Sequence, residues 1–218
     1  MISRSTQAWE IIRNAIVSGR LKPGTALKTS ELQELCGMSV SPVREALARL
    51  VATGLATAEH NLGYRVAPLS GPELQDLVNT RIREESWALR RSIETGDAVW
   101  EGRILASLHV LERVPRENPE DQTLYNEQWE TRHSDFHDAL ISECGSKLTL
   151  GFCATLRDQN DRYRRLSLVL EGGGRNAMSE HREIAQAAIQ RDQARAIEAL
   201  SSHYSMTAQY LLETYVEN

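Results

Sequence analysis

The run LKPGTALKTSELQELCGMSVSPVREALARLVATGLATAEHNLGYRV, residues 21–66, decides the fold. Glu31 to Leu35 spells a short helix, Cys36-Gly37-Met38-Ser39 a tight turn, and Ser41-Pro42 the start of a second helix. Ser39 or Ser41 offers the N-cap, and Pro42 sits where a missing N–H costs nothing. Val43, Leu47 and Leu50 then recur at i, i+4, i+7 and make an apolar stripe, leaving Ser41, Arg44, Glu45, Ala48 and Arg49 on opposite or flanking faces. After Gly54, the segments Leu55–Glu59 and Tyr64–Ala67 flank His60-Asn61-Leu62-Gly63, a loop with turn chemistry, and read as a two-stranded wing. A helix-turn-helix followed by a wing predicts a domain that lays one short helix in a DNA major groove. Arginines on such a helix suit guanine edges and phosphates. The candidate DNA contacts are Lys28, Ser39, Ser41, Arg44 and Arg49, with His60, Gly63 and Arg65 on the wing. A helix-turn-helix used only for protein contact is the alternative.

The net charge of −5 over 218 residues looks wrong for a DNA binder until it is divided. Residues 1–70 hold eight Lys and Arg against five Asp and Glu, a net +3, and residues 71–218 hold 17 against 25, a net −8. The acidic part is expected to face away from DNA. Length suggests one or two domains, and Pro68-Leu69-Ser70-Gly71-Pro72 marks the boundary, giving domains of 1–69 and 70–218. Everything after it reads as helix, over 72–95, 98–114, 121–144, 146–170, 176–191 and 193–216. The breaks carry Gly, Pro or Asp, the triple glycine 172–174 among them. The expected fold is mainly α: an N-terminal winged helix-turn-helix with a small β-hairpin, and a C-terminal all-α bundle.

Three cysteines without CxxC spacing, Cys36, Cys144 and Cys153, imply a reducing compartment and neither a disulfide framework nor a zinc knuckle. No apolar run approaches the roughly 20 residues of a membrane span, and Met1–Arg20 lacks the apolar core of a signal peptide. The expectation is a cytoplasmic protein with no membrane partner.

The chemistry of the helical part lies in histidines. His133 and His137 stand at i, i+4 and face one direction, and His181 and His203 fall on the last two helices. Imidazoles on one helical face, met by others from neighbouring helices, suit Zn²⁺, Ni²⁺ or a similar borderline divalent metal. Taken singly, each of the four reads as a hydrogen-bonded core or surface residue. Trp129 shares the face of His133 and His137, while His109 has no partner spacing.

Pro23-Gly24, Leu27, Glu31-Leu32 and, above all, Pro42-Val43-Arg44-Glu45-Ala46-Leu47 followed by Leu50 and Gly54-Leu55 resemble the GntR family of bacterial repressors. The resemblance implies operator contacts by Arg44, by the residue before the recognition helix and by the wing glycine, Gly63. Where many members carry Ser-Arg before the helix, this chain has Ser39-Val40, so one base-reading arginine is absent. Arg81 with Glu85, His133-Ser-Asp-Phe136-His137, Cys144-Gly145-Ser146, His181 and His203 resemble the FCD-type ligand-binding domain of the FadR subgroup. Its metal-binding members place an Asp where this chain has His133, and the change keeps a donor but removes a negative charge. Asp135 points away by roughly 200 degrees of helix.

The resemblance further implies that Arg81 binds an effector carboxylate; a salt bridge to Glu85 is the alternative, and Arg162, in the charge run Asp161–Arg165, is a second candidate. The Trp129-Glu130-x-Arg132-His133 context is similar to the CsiR-like branch of these regulators, which implies a small dicarboxylate such as glutarate or a hydroxyglutarate. The expected function is a homodimeric repressor of operator DNA, gated by a small carboxylate bound near the metal. The rivals are a metal sensor without organic effector and a metal-dependent hydrolase. The second lacks the Glu of HExxH at His133–His137.

Overall fold

The computed structural model describes residues 2–59, 63–120, 126–165 and 176–216, with only the backbone over 214–216. They group into two compact units, Met1–Ser70 with Arg157–Leu166, and Gly71–Leu156 with Ser167–Asn218.

In the first unit, α1 (Arg4–Val17) starts at Ser3, whose side chain accepts the Thr6 N–H. Helix α2 (Thr29–Cys36) ends at Gly37, which takes the left-handed conformation (φ 63°) that a side chain would strain. Helix α3 (Val40–Ala52) follows, with Ser39 rather than Ser41 at its N-cap position and Pro42 in its first turn. The apolar stripe is buried as its spacing requires: Val43, Leu47 and Leu50 are fully enclosed with Ile12 and Ile16 of α1, Leu32 of α2, and Leu55 and Val66. Each such side chain stabilises the unit by about 1.5–3 kcal/mol relative to exposure, so this three-helix core holds α3 in place. The wing strands β1 (Ala56–Glu59) and β2 (Gly63–Val66) pair antiparallel, with Ala56 opposite Val66 and Glu59 opposite Gly63. Residues 25–27 lie along the other edge of β2 through Leu27 N–H to the Tyr64 carbonyl (2.8 Å) and Val66 N–H to the Thr25 carbonyl (2.9 Å). The expected turn residue His60 lies outside the described residues.

The first unit also takes in the end of α7 (Lys147–Arg165). Arg13 of α1 forms a two-pronged ion pair with Asp158. Tyr163 exchanges hydrogen bonds with the Ser70 backbone.

The second unit holds α4 (Gly71–Thr95), α5 (Ala98–Leu111), α6 (Glu127–Ile141), the start of α7, α8 (Ala177–Ile189) and α9 (Gln193–Val216). All six expected helices are present, trimmed at several ends. Helix α5 stops at Leu111, four residues short of Pro115, whose ring would clash with the Leu111 carbonyl in a continued helix. Helix α6 begins only at Glu127, where Asn126 caps the Gln128 N–H. The described part of α7 ends at Arg165, so the expected continuation to 170 and the glycine break at 172–174 lie outside the described residues. Helix α9 packs along α4 and α8, and α6 against α5 and α4. Trp100, fully buried, donates to the Ala139 carbonyl at 2.9 Å. A Cβ at Gly96 would meet the Trp100 ring at 2.5 Å, so that corner requires glycine. At the α8–α9 turn Arg191 has φ 60°; it donates to the Ile93 carbonyl, pairs with Glu101 and lies over Trp100. The three cysteines are free thiols. Among the described residues no helix is long and apolar enough to cross a membrane.

Candidate metal centre and DNA-contact residues

Helix α6 supplies His133 and His137, α8 His181, and α9 His203, all buried. One ring nitrogen from each can be chosen so that the four lie within 4.8 Å of one another. His133 Nε2 and His137 Nε2 are 3.2 Å apart, and the His181 and His203 ring centres are 4.7 Å apart. Trp129 stacks on His133 at 4.7 Å and 15° between planes, so it walls the cluster on that side. Phe136 meets His137 and His181 edge-on, at 5.4 and 5.3 Å between centres.

Two carboxylates outside the cluster set the protonation of two rings. His203 Nδ1 is 2.7 Å from Glu180 Oε2; an ionised carboxylate only accepts, so Nδ1 carries a ring proton, and in the neutral imidazole Nε2 is the nitrogen with the lone pair. For His137 the same logic runs through a hydroxyl. Tyr204 donates to Glu85 Oε2 at 2.6 Å, which spends its one proton, so its oxygen accepts from His137 Nδ1 at 3.1 Å. Again Nε2 is left as the ligand atom. Arg81 closes the chain, donating through Nε to Glu85 Oε1 at 2.9 Å with its guanidinium 4.0 Å over the Tyr204 ring. Metal-bound imidazoles commonly depend on such outer hydrogen bonds for tautomer and orientation. The donor set fits a borderline divalent ion: four buried imidazoles, two held with the correct nitrogen inward.

Neither Glu180 nor Tyr204 was legible beforehand. Glu180 sits next to His181 in sequence and on the same helix, the one signal that could have suggested it. Arg81 and Glu85 form the ion pair that their i, i+4 spacing allows. The buried guanidinium of Arg162 donates to the carbonyls of Gly54, Ala67 and Pro68 in the first unit. Asp161 to Arg164 of the charge run are buried, Arg162 on these carbonyls and Arg164 on Asp161 at 3.0 Å. Asp135, as expected, is exposed and paired with Arg132 at 3.0 Å. His109 accepts from Arg113 on the surface.

The DNA candidates divide by what holds them. Ser39, Val40, Ser41 and Arg44 lie exposed along the first turns of α3. Val40, 43% exposed, stands where the family pattern has an arginine. Arg44 has no hydrogen-bond or ion-pair partner among the described residues. Lys28, exposed just before α2, pairs with Glu31 at 2.8 Å, which holds its pKa above the usual lysine value. Arg49 is five residues past Arg44, so it points about 140° around the helix from it. Its guanidinium lies 3.9 Å over the Trp9 ring of α1 instead of beside Arg44. Gly63 opens β2 with φ 81°, and Arg65 donates to the Gly24 carbonyl at 3.0 Å with Glu59 across the strand pair at 3.7 Å.

The profile described as bacterial regulatory proteins, gntR family, matches residues 4–66, and that of the FCD domain matches residues 76–206. The chain belongs to the GntR family. It is a DNA-binding transcription regulator of the FadR type, in which the winged helix-turn-helix precedes an FCD domain. BphR, an uncharacterised HTH-type transcriptional regulator of Paraburkholderia xenovorans, is 39% identical over 192 residues, 88% of this chain and 78% of that one. The HTH-type transcriptional repressor GlaR of Escherichia coli is 31% identical over 207 residues, 93% of each chain. The solved structure of E. coli McbR/YncC shares the fold, with a TM-score of 0.79 at 20% identity over 99% of this chain and 100% of that one. With families and relatives that are regulators, this GntR protein is not an enzyme, and the hydrolase reading falls.

Proposed function

We propose that this GntR regulator is a homodimeric, cytoplasmic repressor whose grip on operator DNA is gated by a small carboxylate bound near a divalent metal, zinc or nickel, in the FCD domain. The observation that carries the reading is the set of four buried imidazoles, with Glu180 and the Glu85–Tyr204 pair holding two of them in the ligating tautomer. His133, His137, His181 and His203 would hold the ion, which when bound supplies a fixed positive centre for an anionic effector. As neutral imidazole ligands, the four would leave the full charge of the ion available to a dicarboxylate. Arg81 would bind one carboxylate of the effector, sharing its guanidinium with Glu85. Exposed Ser39, Ser41 and Arg44 would enter the major groove, with Lys28 and the wing residues His60, Gly63 and Arg65 beside it; Arg49, stacked on Trp9, would reach only the phosphate backbone. Each protomer would read half of a pseudo-palindrome. GlaR is named a repressor, which supports that direction of control.

One observation favours a second reading. Four imidazoles already fill a tetrahedral set, as closed structural sites do, whereas a site with three protein ligands keeps a position open. A four-coordinate ion would leave no position for an effector, and the protein would sense the metal itself. The test is binding of an operator fragment by the metal-loaded and metal-stripped protein, each with and without glutarate. Release by glutarate only in the loaded protein supports the gated repressor. A response to metal alone supports the sensor, and indifference to both defeats both readings.

A further inference from the structure

The recognition helix and the wing meet at two short stretches of backbone, Thr53–Gly54 after α3 and Ala67–Pro68 after β2. Both present carbonyls to α7, the first stretch to Gln159 and Arg162 and the second to Arg162. Gln159 Nε2 donates to the Thr53 carbonyl at 2.9 Å. Arg162 donates to the Gly54 carbonyl at 3.0 Å through Nη1, and to the Ala67 and Pro68 carbonyls at 2.8 and 3.0 Å through Nη2. Carbonyls at a helix C-terminus lack partners inside the helix and carry the negative end of its dipole, so a buried guanidinium there is favourable. The backbone is shaped for this approach: Gly54 has φ 73°, and a Cβ on it would stand 2.9 Å from Gln159 Nε2. Arg162 is itself 5% exposed, so its charge is not spent on solvent.

We propose that Gln159 and Arg162 form a carbonyl clamp that sets the angle between wing and recognition helix, making the end of α7 a positioning element of the DNA-binding surface. The residues it joins lie 94 to 108 positions earlier in the chain. One planar fork bridges the backbone entering the hairpin and the backbone leaving it. Lysine, with a single nitrogen, reaches only part of that set. Arg44 in the groove and Gly63 and Arg65 on the wing engage one DNA together only if the angle is held. The clamp requires neither a metal nor an effector, so its test is independent of the gating reading.

The experiment uses full-length wild type and the variants R162M, R162K and Q159A on a duplex selected from a random library with the wild-type protein. Affinity and hydroxyl-radical footprints are measured below the melting temperature of every variant. R162M is expected to lose about tenfold or more in affinity, with protection lost where the wing touches and kept under the recognition helix. R162K should regain part of both, and Q159A should show a smaller loss of the same pattern. Unchanged affinity and footprint in folded R162M overturns the clamp. So does a uniform loss across the whole footprint, the mark of a merely destabilised domain. If R162M does not fold, Q159A decides: full wing protection at wild-type affinity overturns the proposal, and selective loss at the wing upholds it.

Discussion

Replacing Tyr204 with Phe removes one oxygen from the interior and leaves the ring that stacks under Arg81. That oxygen stands 2.6 Å from Glu85 Oε2 and 3.1 Å from His137 Nδ1 in a side chain only 3% exposed. Losing a hydrogen bond to an ionised group costs about 1.5–3 kcal/mol of folding stability. Arg81 still holds the other Glu85 oxygen, which places Y204F toward the lower end. The effect on the metal comes through His137, whose Nδ1 proton no longer has the Tyr204 oxygen to hold the ring with Nε2 inward. Loss of an outer hydrogen bond of this kind lowers metal affinity about 10–100-fold, or about 1.4–2.7 kcal/mol. Titration of metal-stripped protein with zinc against a chromophoric chelator reads the affinity, and thermal unfolding reads the stability. Folded Y204F that binds zinc within about threefold of wild type would refute the tautomer reasoning and reduce the Glu85–Tyr204 pair to a structural contact.

Arg44→Ala should weaken operator binding by about 1–3 kcal/mol with the fold intact, read by gel shift at two salt concentrations; equal affinity would remove Arg44 from the interface. Stripping the bound metal should lower the melting temperature, and returning zinc in excess should restore it in proportion to RT ln(1 + [L]/Kd). His137→Ala should abolish that shift, and a full shift in the variant would refute the four-histidine site. Asp97, the N-cap of α5, has its carboxyl held below the usual range by the Trp100 N–H first, with Val99 adding to it and burial opposing. A lowered folded-state pKa means stability present above the ordinary carboxylate value and lost as pH falls through the folded one. Asp97→Asn keeps the cap but not the titration, so acid unfolding of the variant should be shallower; identical acid limbs would contradict the assignment.

Sequence legibility tracks distance along the chain. Val43, Leu47 and Leu50 announce a buried helix face because three- and four-residue spacings are local geometry, and His133 with His137 follows the same rule. His181 and His203 can be set beside them only as histidines on later helices, and the resemblance strengthens that grouping, since nothing local says that two other helices pass the same point. The Glu85–Tyr204–His137 chain spans 119 and 67 residues, and no periodicity encodes it. Arg162 and Arg49 show why charge is hard to read. Each looks like a solvated or DNA-facing arginine until its acceptor is known, and those acceptors are backbone carbonyls on a distant turn and the Trp9 ring on another helix.

The α8–α9 turn has the geometry of a lever. His181 and His203 lie 10 and 12 residues from Arg191, hence about 15 and 18 Å along their helices. A rotation of about 3° at the turn would carry either imidazole through about 0.8–0.9 Å, several times the roughly 0.2 Å tolerance of a metal–ligand distance. The tie from Arg191 to the Ile93 carbonyl and Glu101, at the far end of the hairpin from the histidines, therefore fixes the bite of the site. A change of residue there would shift the candidate ligand nitrogens of the proposed metal site relative to one another without altering one of the four histidines.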